Sequence, residues 1–115
     1  MSVVIYHHPR CSKSRQTLQL LQDQGIELEV IEYLKTPPSK TRLKQILTML
    51  DLTPRQLMRR KEPEYTALGL DDESLSRDQL IAAMVETPKL IERPIVVKGD
   101  RAAVGRPPEA VLAIL

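Results

Sequence analysis

The sequence predicts an α/β protein with one small mixed four-stranded sheet and helices on its faces. Three observations predict it. A β-branched run at 2–6, SVVIY, precedes a helical pattern and then an alternating stretch at 26–34, IELEVIEYL. A middle stretch carries helical periodicity with two capping signatures. Near the end, RPIVV, KGDR and AAV read as strand, turn and strand.

Each element has a local reason. SVVIY reads as a buried strand because branched side chains fit a pleated surface. HHPR then reads as a loop. A helix starts at Cys11 or Ser12, with Leu18 and Leu21 three apart and Leu20 beside them, and Gly25 is placed to end it. In IELEVIEYL, Ile26, Leu28, Val30 and Tyr33 give a half-buried strand. The prolines of KTPPSK exclude a helix or a central strand there.

Leu43, Ile46, Leu47 and Leu50 fall on one helical face. Thr53–Pro54–Arg55–Gln56 is a capping box with proline at the first helical position. YTALGL is a short helical turn ended by Gly69. Ser76–Arg77–Asp78–Gln79 opens a further helix through Leu80, Ile81 and Met84, and Pro88 closes it. Gly105–Arg106–Pro107–Pro108 leads into a last helix, EAVLAIL, with Glu109 at its positive end. The order is β-α-β, three helical segments, then β-β-α. No repeat or linker interrupts it.

Length and composition bound the class. At 115 residues the chain is expected to be a single domain, residues 1–115. With no Phe or Trp, its core must be aliphatic. A net charge of +2 gives no argument for nucleic acid. Arg outnumbers Lys ten to seven, and Arg suits planar oxyanions, although most of these side chains are expected to be solvated. The N-terminus does not read as a signal peptide, and no apolar run approaches a membrane span. One cysteine fits a reducing compartment, so the expected location is cytoplasmic.

That cysteine, in YHHPRCSKSRQTLQLL, carries the chemistry. Cys11 stands where a helix N-terminus favours negative charge, with Arg10, Lys13 and Arg15 nearby. The hydroxyls of Ser12 and Ser14 are candidate donors to the sulfur. Each factor favours the nucleophilic thiolate. The alternative is a small buried hydrophobe, but the neighbours are polar. In Cys11-x-x-Ser14 there is no second thiol, so an adduct at Cys11 must be resolved by an external thiol, such as glutathione, or by water.

His7 and His8 adjoin the thiol and either pair with it or are plain loop residues. A metal site is disfavoured because no second His/Cys cluster completes one. Arg93 precedes Pro94, a candidate cis-proline. Arg106 precedes a helix start, where anions bind. Arg59 cannot be told from Arg60.

Together, IYHHPRCSKSRQTL, EYLKTPP, LMRRKEPEY, LGL, ERPIVV and GRPPEAVLAIL resemble the glutaredoxin-linked arsenate reductase (ArsC) family, in its shorter YfgD-like branch. The resemblance covers essentially the whole chain. It implies a thioredoxin-like fold with a helical insertion. It implies Cys11 as nucleophile, Ser14 holding the thiolate, and His7 in a supporting role. Arg59, Arg93 and Arg106 are implied as oxyanion ligands and Pro94 as a structural cis-proline. In the implied reaction Cys11 attacks arsenate, glutathione attacks the arsenic adduct, and glutaredoxin completes the reduction as arsenite leaves. No metal or bound organic cofactor is implied, and glutathione is a co-substrate. His8 stands where the best-known arsenate reductases carry Asn, and Ser12–Lys13 where they carry Gly–Thr. The chain ends without the family's longer C-terminal tail.

Two rival readings accompany this one. Cys11 serves a glutathione-dependent thiol oxidoreductase with another substrate, or the chain is an Spx-like RNA polymerase-binding regulator. Ser14 removes the Cys-x-x-Cys switch typical of the latter. A tyrosine-phosphatase-like arsenate reductase is excluded, because its Cys-x5-Arg pattern meets Thr17 here.

Overall fold

The β-branched and alternating runs form the strands, as expected, in a computed structural model that describes residues 3–115. Strand β1 is Val3–His7; the predicted strand began at Ser2, which lies outside the described residues. It leads through helix α1, Ser12–Asp23, to β2, Leu28–Glu32. The last strands are β3, Ile95–Lys98, and β4, Arg101–Val104. The sheet order is β2-β1-β3-β4, with β1 parallel to β2 and antiparallel to β3, and β3 antiparallel to β4.

The chain divides into two compact units. One runs up to Thr36 and resumes at Arg93–Leu115; the other is Pro37–Glu92. In the sheet unit, Val3, Ile5, Leu21, Val96, Val111 and Ile114 form one aliphatic core, with Leu18, Leu20, Ile26 and Leu28 packed against it. Helix α1 ends as Gly25 predicted. Gly25 takes φ +68°, its N–H bonds the Gln22 carbonyl, and the Ile26 N–H bonds Leu21.

The helical unit holds α2 (Lys40–Leu50), α3 (Pro54–Leu57), α4 (Pro63–Ala67) and α5 (Arg77–Glu86). Leu43, Ile46 and Leu47 are buried on α2, as the periodicity requires. Both capping boxes form, Thr53 with Gln56 and Ser76 with Gln79. The middle helical segment is two helices, because Pro63 starts α4 afresh.

Three readings need correction. Val30 is 45% exposed, although its alternation had placed it inward. The reason is position: β2 is an edge strand of the sheet, so alternation alone does not bury its outer side chains. His7 is the last residue of β1, not a loop residue. The last helix is a 3₁₀ helix, Pro108–Ile114. Its two buried residues near the end, Val111 and Ile114, are three apart, which matches three residues per turn.

The β-α-β and β-β-α halves share one sheet, and Pro37–Glu92 stands between them in sequence. This is a thioredoxin-like fold with a helical insertion. Among the described residues no helix is long and apolar enough to cross a membrane.

Candidate functional site

Cys11 is the N-cap of α1, with φ −91° and ψ 124°. Its carbonyl accepts the first helical bond, from the Arg15 N–H at 3.0 Å. Its own N–H donates to the His8 carbonyl at 3.0 Å, which curls residues 8–11 into a tight turn. The sulfur is half-buried at the free N–H groups of the first helical turn.

Burial pushes the Cys11 thiol up, but the opposing contacts outweigh it. The backbone N–H of Ser14, the Arg93 side chain and the backbone N–H of Lys13 hold it below its ordinary value of 9.0. Arg106 adds a contact, with Nη2 donating to Sγ at 3.5 Å. Its Nε donates to the Arg93 carbonyl at 2.8 Å, which ties the two arginine segments together. The sequence placed Arg10, Lys13 and Arg15 as the local positive charges. The guanidinium groups that hydrogen-bond the sulfur are those of Arg93 and Arg106. Arg15 instead donates from Nη1 to the Pro9 carbonyl at 3.0 Å.

The loops that bring these arginines in are both marked by cis peptide bonds, Arg93–Pro94 and Arg106–Pro107. The first matches the expectation for Pro94. Sequence reasoning missed the second; an X-Pro bond was the available signal, but it does not choose its own isomer. Gly105 was also missed as a site-building residue. Its N–H donates to the Pro94 carbonyl at 2.9 Å. A Cβ there would lie 2.5 Å from Thr17 Oγ1 and 2.8 Å from Pro94 Cγ, so only glycine lets this segment approach α1 so closely. Thr17 is fully buried and donates to the Lys13 carbonyl at 2.8 Å.

Ser14 is fully buried, and its hydroxyl oxygen lies 2.6 Å from His7 Nδ1. The same oxygen accepts the His8 N–H at 3.0 Å. The hydroxyl is therefore engaged with the histidines, and it is the Ser14 backbone that donates to the sulfur. Burial lowers the His7 pKa below its ordinary 6.5, against the attraction of Glu32 and with the repulsion of Arg15. His8 Nδ1 accepts the Arg10 N–H at 3.3 Å, and its ring meets Tyr33 edge-on at 6.4 Å.

Arg59 belongs to the helical unit. It follows α3, where an isolated antiparallel bridge joins Met58 to Ile91. Its N–H donates to the Leu90 carbonyl at 2.7 Å. Its guanidinium meets Glu92 at 2.7 Å and Glu62 at 3.2 Å. Arg60 is exposed. The pair that sequence could not separate is thus separated by packing. Among the described residues, no group of His, Cys, Asp and Glu could hold a metal ion.

The model described as the ArsC family matches residues 6–114. YfgD of Escherichia coli (strain K12) is 54% identical over 114 residues, covering 98% of this chain and 96% of that one. An arsenate reductase of Haemophilus influenzae is 49% identical over 116 residues and covers both chains completely. The solved structure of an arsenate reductase from Vibrio cholerae matches with a TM-score of 0.97 at 59% identity, covering 100% of this chain and 98% of that one.

Proposed function

Because the chain belongs to the ArsC family, we propose that it is an arsenate reductase that works through Cys11 with glutathione and glutaredoxin. The observation that carries the reading is the sulfur's setting. A thiol held below its ordinary value at a helix N-terminus, with Arg93 and Arg106 upon it, is a nucleophile prepared for an oxyanion. The names of close relatives support arsenate as that oxyanion.

In the proposed reaction the thiolate attacks arsenic. A sulfur–arsenic bond forms, and one arsenate oxygen takes up protons and leaves as water. Arg93 and Arg106 neutralise the oxygens as charge builds on them. Arg59 is the third proposed oxyanion ligand, through the family resemblance. A glutathione thiol then displaces a second oxygen as water. A glutaredoxin thiolate attacks the glutathione sulfur and forms a mixed disulfide. The electron pair of the glutathione–arsenic bond stays on arsenic, which falls from As(V) to As(III). Water then cleaves the remaining sulfur–arsenic bond, releasing arsenite and restoring the Cys11 thiol. The external reductant follows from the lone cysteine: Ser14 cannot resolve the adduct. On this reading the whole chain acts as one cytoplasmic reductase domain, with no bound cofactor.

The test is NADPH oxidation with arsenate, glutathione, glutathione reductase and glutaredoxin, comparing the native protein with Cys11→Ser. Arsenate-dependent turnover that vanishes in the variant is the expected result. No turnover by a folded native protein with active glutaredoxin would overturn arsenate as the substrate.

A further inference from the structure

The backbone holds Arg59 and Glu92 side by side. On either side of the Met58–Ile91 bridge, the Glu92 N–H donates to the Leu57 carbonyl at 2.8 Å and the Arg59 N–H to the Leu90 carbonyl at 2.7 Å. On this short ladder the side chains meet. Arg59 Nε donates to Glu62 Oε1 at 3.2 Å and Nη1 donates to Glu92 Oε1 at 2.7 Å. Among the described residues, Nη2 is the guanidinium nitrogen that makes no hydrogen bond. Burial lowers the Arg59 pKa, but Glu62 and Glu92 raise it above its ordinary value, so the group stays charged. The two carboxylates differ. Lys89 Nζ lies 3.6 Å from Glu62 Oε2 and 3.5 Å from Glu64 Oε2, so Glu62 has a second cation against it. Glu92 makes the shorter bond to Arg59, and it does so at the terminal nitrogen beside Nη2.

An oxyanion that takes Nη2 therefore brings its other oxygens alongside an ionised carboxylate, which can accept hydrogen bonds but not donate them. An oxygen that carries a proton can donate to Glu92. An oxygen without one meets like charge. Tetrahedral oxyanions divide on this point. Arsenate and phosphate keep at least one proton at neutral pH, whereas sulfate and selenate keep none. We infer that Glu92 is a specificity-determining residue: bonded to Arg59 Nη1, it favours an oxyanion on Nη2 that carries a hydroxyl and disfavours a fully deprotonated one. The device works by repelling the wrong ligand as much as by holding the right one. Glu62 contributes less, because Lys89 compensates its charge. The inference rests on the reading of Arg59 as an oxyanion ligand, and it concerns which oxyanion binds, not what is done to it.

Calorimetric titration of the full chain tests it with two matched pairs of anions. Phosphate and sulfate are titrated into the native protein. Arsenate and selenate are titrated into Cys11→Ser, which keeps a thiol adduct out of the arsenate measurement. Mildly alkaline buffer makes arsenate the singly protonated dianion, equal in charge to selenate and different by one proton. The protonated member of each pair is expected to bind about tenfold to a hundredfold more tightly, the range of a charge-assisted hydrogen bond. In Glu92→Gln the ratio is expected to fall below about threefold, chiefly because sulfate and selenate gain affinity. Glu62→Gln is expected to keep most of the native ratio. Equal affinities within each pair for the native site, no binding of any of the four anions, an undiminished ratio in Glu92→Gln, or an equal collapse in Glu62→Gln would overturn the inference. Should Glu92→Gln fail to fold, Glu92→Ala and the native ratios decide in its place. A chain that shows the expected ratios but no arsenate turnover would sink the reductase reading and leave this inference standing. Turnover with equal affinities would do the reverse.

Discussion

Arg106 in the sheet unit and Arg59 in the helical unit are both implied oxyanion ligands, yet their surroundings are opposite. Arg106 meets a sulfur and a backbone carbonyl, so its charge is directed at the nucleophile. Arg59 meets two carboxylates, Glu62 and Glu92, and Lys89 reaches Glu62 and Glu64 at 3.6 and 3.5 Å. Its positive charge is already compensated. The lesson is that an arginine's identity does not give its electrostatic role; the count of acidic groups around it does. Arg59 must share its guanidinium with any anion it binds.

The largest test of that contrast removes what Arg106 serves. Cys11→Ser is expected to abolish arsenate turnover while the chain still unfolds in a cooperative thermal transition, as the coupled assay and a melt would report. Next, Arg106→Ala is expected to cost about tenfold to a hundredfold in kcat/KM, the range of a charge-assisted hydrogen bond. Arg106→Lys should recover part of it, because a point charge replaces the fork. Equal losses for Arg59→Ala and Arg106→Ala would break the comparison.

A smaller effect is expected from Gly105→Ala. The new methyl meets the buried Thr17 and Pro94, so stability should fall by about 1–3 kcal/mol in urea denaturation. A smaller change still is expected in the acidic cluster. Glu92→Gln should alter stability by about 1 kcal/mol or less, because Arg59 and Glu92 retain 24% and 27% exposure. It should tighten oxyanion binding measured by titration, since it relieves the competition for Arg59.

The smallest effects are those of pH. Folding lowers the Cys11 pKa, so the folded state favours thiolate. This contribution is full above 9.0 and is lost as pH falls through the lower folded value. The stability difference between the native protein and Cys11→Ser should therefore grow with pH across that window. Folding lowers the His7 pKa as well, so its contribution is present above 6.5 and is lost in acid below it. Stability against pH in His7→Asn should lack the acid slope.

Local pattern made much of the fold legible. Gly25, the boxes of Thr53 and Ser76, and the α2 leucines all act within a few residues, and each formed as expected. Val30 and the final 3₁₀ helix escaped because edge position and close packing override periodicity. At the site, Cys11 at the helix start was legible, and Pro94 was a fair inference from its X-Pro bond. The use of the Ser14 hydroxyl was not legible, because Ser14 offers both a backbone N–H and a hydroxyl, and only the positions of His7 and His8 show where each goes.

The sequence by itself determined that a lone cysteine opens a helix after a buried strand, with no second thiol near it. Those are short-range facts, set by caps, period and composition. Tertiary structure decided which cations the sulfur meets. Arg106 lies 95 residues along the chain, and its guanidinium reaches Cys11 because β3 pairs with β1 and β4 with β3. The cationic neighbours in sequence, Arg10, Lys13 and Arg15, leave exposed side chains instead. The physical reason is directional. Side chains that follow the cysteine along α1 fan out around the helix, whereas loops folded over its N-terminus converge upon it.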